Sequence, residues 1–396
     1  MDWWRRDDLH RDNGRLTLAG RDVDALAAEA GGPIFLYSEA RVLANAGRVR
    51  DALLATGMGG QLFYALKANR FPPLLKALAQ SGLCGADVCS PGELELALAC
   101  GFPEAAVSYT GVSVSRSDHD ALARRPEVLV NCDGLAMLRQ IGERTPGRAV
   151  GLRLNPALGV GYGDSERLTY AGTRTTKFGI YDEQLDEAVA LAAASNLRIE
   201  RVHFHLGCGY LDAQMDAWEQ AAAACARMLD RLADVREVNV GGGLGLPHRA
   251  GDRPLNLERW SAGLARLFAG RPVRISAEPG DYIVKDAGVL VLGVTGAERK
   301  RDTLFVGLNG GFNLHPEPAF YDLACEPVPC VTRPGATERV TLAGNINEAL
   351  DLWGEGLVMP PLREGDRVAL LNAGGYGAAM SSNHCMRGDF EERVLP

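Results

Sequence analysis

Short apolar runs alternate with amphipathic stretches from about Pro33 to Gly280. The runs are Pro33–Tyr37, Gly60–Ala65, Gly85–Cys89, Ala106–Tyr109, Glu127–Asn131, Ala149–Asn155, Arg201–Leu206, Glu237–Val240 and Arg274–Glu278. Between them, segments such as 40–56, 73–81 and 91–100 place apolar residues near helical spacing, as Leu94, Leu96, Ala97 and Leu98 do. Strands alternating with helices predict βαβ units and a parallel sheet. Eight or more such repeats in roughly 250 residues suit a closed (β/α)8 TIM-like barrel better than an open sheet. After Gly280 the texture changes. Runs at 282–284, 289–293, 303–308, 339–342 and 367–371 read as strands with few helices between them, which predicts a β-rich barrel or sandwich. Leu16–Ala19 is expected to join it. The predicted architecture is an α/β barrel over 32–280, with residues 1–31 and 281–396 forming one β-rich domain.

Composition narrows the functional classes. The chain has 396 residues, 46% apolar and 23% charged, as in ordinary globular proteins. A net charge of −8 argues against a nucleic-acid partner or an anionic membrane surface, because each needs a concentrated basic face. No run approaches a membrane span, and the N-terminus shows no apolar signal segment. The nine cysteines are scattered without paired CxxC motifs, so neither a disulfide framework nor a zinc site is expected. Reduced thiols in the cytoplasm are the corresponding expectation.

The polar motifs close apolar runs, where a barrel gathers its chemistry. Lys67 ends Gln61-Leu-Phe-Tyr-Ala-Leu-Lys. Emerging from an apolar strand, it is expected to be desolvated, with a lowered pKa and a neutral amine able to condense with an aldehyde. A lysine that merely snorkels outward is the equal alternative. Gly241, Gly242 and Gly243 follow another run and free backbone N–H groups for a phosphate, or form a plain tight turn. Glu278, locked by Pro279 and Gly280, is a solvated turn residue or a carboxylate that keeps a ring nitrogen protonated. His203 and His205 share one face of a strand, which suits an imidazole packed flat on an aromatic cofactor better than a metal lacking a third ligand. Tyr376 sits among glycines, as a phosphate donor or a core aromatic.

Taken together, the motifs resemble the fold-type III pyridoxal 5′-phosphate (PLP) decarboxylases, which act on diaminopimelate, ornithine and arginine. The matching segments are Tyr-Ala-Leu-Lys-Ala-Asn at 64–69, Gly-Ala-Asp-Val-Cys-Ser-Pro-Gly-Glu-Leu at 85–94 and Thr-Lys-Phe-Gly-Ile at 176–180. They continue with His-Leu-Gly at 205–207, Gly-Gly-Gly at 241–243 and Glu-Pro-Gly at 278–280. The tail Gly-Tyr-Gly-Ala-Ala-Met-Ser-Ser-Asn at 375–383 looks most like the diaminopimelate branch. The resemblance implies that Lys67 carries PLP as a Schiff base, Glu278 pairs with the pyridinium nitrogen and His205 stacks on the ring. It implies that Gly241, Gly242, Gly243 and Tyr376 hold the phosphate, with Asp87, Glu93, Cys208 and Gly280 around the cofactor. It also implies a homodimer whose active sites combine one subunit's barrel with its partner's β-domain. Losing CO2 leaves a carbanion that the protonated ring would delocalise.

The chain departs from that family at three places. Asp281 follows Glu-Pro-Gly where the diaminopimelate enzymes have arginine. Glu317-Pro-Ala-Phe-Tyr321 replaces their Arg-Pro-x-x-Tyr, and a carboxylate cannot clamp a carboxylate. With Tyr321, Asp322 and Asp351 on the substrate side, Glu317 favours an amino acid with a cationic or hydrogen-bond-donating far end over meso-diaminopimelate. Asn347 of Gly344-Asn-Ile-Asn-Glu-Ala-Leu-Asp351 stands where the family's proton-donating cysteine is expected. An amide is no general acid, which leaves Glu348, His315 or water. The rival readings are a racemase of the same fold type, which would set arginine against the ring nitrogen, a non-catalytic relative, and a decarboxylase of an amino acid tethered to a carrier protein.

Overall fold

Eight of the nine apolar runs become the strands of one parallel barrel in the computed structural model, which describes residues 2–172, 174–333 and 335–396. In chain order these strands are β1 (Phe63–Ala65), β2 (Gly85–Val88), β3 (Val107–Tyr109), β4 (Leu129–Cys132), β5 (Ala149–Asn155), β6 (Arg198–His203), β7 (Glu237–Asn239) and β8 (Arg274–Ser276). Each pairs in parallel with the next. A parallel bridge between Leu62 and Ala277 closes the ring, where Phe63 N donates to Ala277 O at 2.8 Å. The strands are short and buried because each is covered on both faces, as parallel sheets require.

Local chemistry ends the helices between them. Ser90 caps Pro91–Ala99, its Oγ accepting from Glu93 N, while Pro91 at the first helical position forfeits no hydrogen bond. Ser115 and Asp118 form a reciprocal capping box on Arg116–Ala123. Pro72–Ser81 stops at Gly82 in the left-handed conformation.

The chain divides into two compact units. One comprises Leu43–Leu246 and Arg253–Tyr282 and contains the barrel. The other gathers the N-terminal stretch to Val42, Pro247–Asp252 and Ile283–Pro396. Its main sheet runs Pro327–Pro329, Arg367–Leu370, Gly288–Lys300, Thr303–Leu308, Glu338–Ala343, Leu352–Met359. The strand Arg15–Leu18, within a three-stranded sheet, supplies Leu16 and Leu18 to the core of this unit, alongside Val289, Val291, Ala369 and Leu395.

Two readings of the pattern change. The run at 33–37 is no barrel strand: Ile34–Ser38 pairs antiparallel with Gly288–Val291 and parallel with Glu391–Leu395. All five residues are buried, so the run has no polar face from which periodicity could assign it to one sheet or the other. The run at 282–284 is one helical turn, Asp281–Val284, too short for its apolar residues to distinguish helix from strand.

Candidate active site

The loops after β1, β6, β7 and β8 bring the barrel's chemistry together at the C-terminal ends of the strands. Lys67 lies in the turn Leu66–Ala68 that immediately follows β1. Its Nζ is 3.5 Å from Asp87 Oδ2 on β2, and 42% of its side chain is exposed against 2% for Asp87. The lysine is therefore reachable while its carboxylate partner is not. Burial alone would lower the Lys67 ammonium, but the carboxylates of Asp87 and Glu278 outweigh it and hold the pKa above its ordinary value. This reverses the expectation of a neutral amine drawn from desolvation. An apolar strand forecasts the loss of water but not the two acids facing its end.

Glu278 sits just past β8, 5% exposed. His203 Nε2 donates to its Oε1 at 2.6 Å, and Asn239 Nδ2 donates to its Oε2 at 3.1 Å. Burial, then the charges of Arg153 and Lys67, push His203 well below the usual imidazole range. It is thus neutral, with its proton on the nitrogen that faces the carboxylate. Burial raises Glu278 despite the pull of Lys67 and Arg153. The carboxylate is held in place yet short of positive charge.

His205, two residues beyond the end of the strand, has a different task from His203. Its Nδ1 accepts from Gly242 N at 3.2 Å, and Cys208 Sγ lies 3.9 Å from its Nε2. Tyr170 packs on its ring at 5.0 Å between centroids. Burial and then Lys67 depress its pKa well below the usual value, so its ring is an uncharged, half-buried plate.

The glycine loop is set by close approach. Gly243 adopts φ +88°, and a Cβ there would stand 1.9 Å from Gly207 O. A Cβ on Gly242 would stand 2.5 Å from Glu278 O. Gly241 N donates to Asn239 Oδ1 at 2.9 Å, so one asparagine ties the loop to the carboxylate. With Gly241 and Gly242 engaged, the Gly243 N–H has no acceptor among the described residues. Glu93 turns back to its own helix terminus, where Oε2 accepts from Cys89 N at 2.9 Å. Gly280 directly precedes the turn Asp281–Val284.

These residues suit PLP. There is an accessible amine beside a buried acid, an uncharged aromatic plate, a side-chain-free loop with an N–H lacking an acceptor among the described residues, and a braced carboxylate that burial raises despite the cations around it.

Tyr376, Glu317, Tyr321, Asp322, Asn347, Glu348 and Asp351 lie in the β-rich unit. Both oxygens of Asp351 accept backbone N–H groups, from Phe312 at 2.7 Å and Ile346 at 2.6 Å. It anchors the loop that carries Asn347 and Glu348, both exposed, with Glu348 3.6 Å from His384. Glu317, 4% exposed, meets Lys285 Nζ at 2.8 Å. Tyr321 is half-buried, Asp322 is exposed with a φ of +56°, and Tyr376 has a φ of +53°. His315 is buried against Trp353, and burial pulls it down to about 3. Sequence reasoning did not single out Asn239, Arg153 or Lys285. Asn239 stands two residues before the first glycine of its motif, but Lys285 has no local signal because its partner is 32 positions away.

The family described as "Pyridoxal-dependent decarboxylase, pyridoxal binding domain" matches residues 41–285. A diaminopimelate decarboxylase of Methanothermobacter thermautotrophicus is 31% identical over 395 residues, covering 95% of this chain and 89% of that protein. One from Streptomyces coelicolor is 32% identical, covering 93% of this chain and 86% of its own length. Among solved structures, the diaminopimelate decarboxylase from M. jannaschii in co-complex with L-lysine superposes with a TM-score of 0.88 at 24% identity, covering 98% of this chain and 93% of that one. The arginine decarboxylase of Paramecium bursaria Chlorella virus gives 0.82 at 16% identity, over 94% of this chain and 100% of that one.

Proposed function

This chain belongs to the pyridoxal-dependent amino-acid decarboxylases, and from that membership we propose how its residues serve the reaction and which substrates it refuses. PLP, when bound, supplies an aldehyde for a lysine amine and a protonated ring that accepts the electron pair left as CO2 departs. Lys67 is the amine. Asp87 and Glu278 favour its ammonium, so a proton must leave Nζ before it can bond to carbon. Asp87, buried beside it and raised by its own burial, is placed to hold that proton.

Glu278 holds a proton at the ring nitrogen. The observation that carries this reading is its bracing by His203 and Asn239, which fixes a buried carboxylate in one orientation while leaving it in need of a cation. A carboxylate at this position supports decarboxylation over racemisation. His205 would lie against the ring, and Gly241, Gly242, Gly243, Cys208 and Gly280 would surround the cofactor, with the Gly243 N–H available to its phosphate; the family resemblance assigns Tyr376 to the same phosphate. Proton delivery after CO2 loss falls to Glu348, which adjoins Asn347 on an exposed loop. His315, buried and neutral, is the poorer donor. The exposed 347–350 loop supports a homodimer in which it reaches the partner's barrel.

The substrate is an amino acid without a free distal carboxylate. Glu317 and Asp281 stand where the diaminopimelate branch has arginines, and the charge of Glu317 is already balanced by Lys285. The pair offers no net positive charge to an incoming anion. CO2 release measured on ornithine, lysine, arginine, glutamate, meso-diaminopimelate and a carrier-linked aminoacyl thioester tests this. The best substrate is expected to exceed meso-diaminopimelate by roughly 100-fold or more in kcat/KM. Equal or better turnover of meso-diaminopimelate contradicts the proposal. Racemised amino acid without CO2 would make the chain a racemase.

A further inference from the structure

Opposite the catalytic ends, the starts of β4, β5, β7 and β8 and the middle of β6 enclose a second cavity of about 180 Å³. Its polar lining is Glu200, Arg201, Arg236, Glu237 and Arg274. Arg201 is buried, with 8% of its side chain accessible. Its Nη2 donates to Glu237 Oε2 at 3.1 Å, whereas its Nη1, equally buried, has no acceptor among the described residues. Phe63 lies 5.9 Å from the guanidinium carbon, but a ring is a weak substitute for an oxygen acceptor.

The acids of this cavity are already engaged. Glu237 accepts from Arg201, from Arg274 Nη2 at 3.4 Å and from Ser276 Oγ at 2.7 Å. Glu200 accepts from Arg198 Nε at 2.9 Å. Arg236 is exposed at the rim and forms no ion pair among the described residues. Three arginines thus face two occupied glutamates, and all three guanidinium groups retain unused donors. Positive charge gathered around a cavity beyond what its acids balance is offset by counter-ions or water.

We propose that this cavity binds one small oxyanion, of the class of inorganic phosphate, sulfate or a short carboxylate, between the Arg201 and Arg236 guanidinium groups. The site is separate from the cofactor's phosphate position, which lies past the other ends of the strands. It underlies the catalytic layer in register. The register partners Arg201, Glu237 and Arg274 each stand two residues before the partners His203, Asn239 and Ser276, and Glu278 follows Ser276 by two residues, past the strand's end. An anion here would fix the layer on which the catalytic carboxylate and its braces rest.

The test uses the PLP-loaded enzyme, so that the cofactor's own phosphate position is filled, at constant ionic strength in chloride. Calorimetric titration with inorganic phosphate, sulfate and acetate in separate arms is expected to show saturable binding of at least one, at one per chain. Arg236→Ala is expected to weaken it roughly tenfold or more, with the cofactor's absorbance unchanged. Arg201→Met is expected to abolish it. Should Arg201→Met fail to fold, Arg236→Ala carries the test, because its side chain is exposed. Absence of saturable binding in all three arms, or binding unchanged by Arg236→Ala, overturns the proposal.

Discussion

At the scale of single residues, the site is a set of opposed charges whose values depend on one another. Lys67 is held as a cation by Asp87 and Glu278, and those acids are raised by burial and partly relieved by Lys67. Glu278→Gln keeps the shape but removes the charge. The variant is expected to retain bound cofactor, shift its absorbance spectrum and lose roughly 100-fold in kcat. Asn239→Ala frees one carboxylate oxygen and is expected to cost about tenfold in kcat with KM little changed, because Asn239 positions Glu278 without touching substrate. Steady-state kinetics with parallel spectra check both. Unchanged spectrum and kcat in Glu278→Gln would remove that residue from the ring nitrogen.

At the scale of elements, the pairing of Lys285 with Glu317 is the chain's own departure. Both side chains are buried, 2% and 5% accessible. Removing one partner of such a pair strands a charge, so Lys285→Met is expected to cost about 3–5 kcal/mol of stability. The double change Lys285→Met with Glu317→Leu is expected to recover most of it. Urea unfolding of the three proteins checks this, and additive losses in the double variant would show that the two side chains are independent. The same scale shows what was legible in the sequence. Runs such as Ala149–Asn155 announced barrel strands, and the ends of β1 and β8 announced Lys67 and Glu278, because short apolar runs closed by polar residues are what buried parallel strands produce. Ile34–Ser38 was not assignable, since a strand buried on both faces carries no record of its neighbours. The braces on Glu278 were likewise hidden: Asn239 and His203 reach it only through the parallel register of β6, β7 and β8.

At the scale of the whole molecule, buried histidines link stability to pH. His248 and His315 are pulled by burial, and then by the Lys285 charge, from an ordinary 6.5 to about 3. Below pH 6.5 the unfolded chain binds protons at these positions that the folded chain refuses until about pH 3. Their contribution is therefore complete above 6.5 and is lost as pH falls from 6.5 toward 3. Asp87, Glu278 and Asp351, raised by burial, act with the opposite sign, since the folded chain takes up their protons first. Replacing one histidine isolates its share. His315→Phe preserves the stack on Trp353 and is expected to reduce the loss of stability on acidification by about 1.4 kcal/mol for each pH unit below 6.5. Urea unfolding of both proteins between pH 7 and 5 measures this, and parallel curves would mean that His315 titrates normally.

One attachment underlies the whole account, and chemical trapping reads it directly. The purified protein, incubated with PLP and reduced with borohydride, is digested and its peptides are sequenced by mass spectrometry. The expected result is a single pyridoxyl adduct on Lys67, absent from Lys67→Ala. A protein that takes no adduct, or one that carries it on another lysine, contradicts the account.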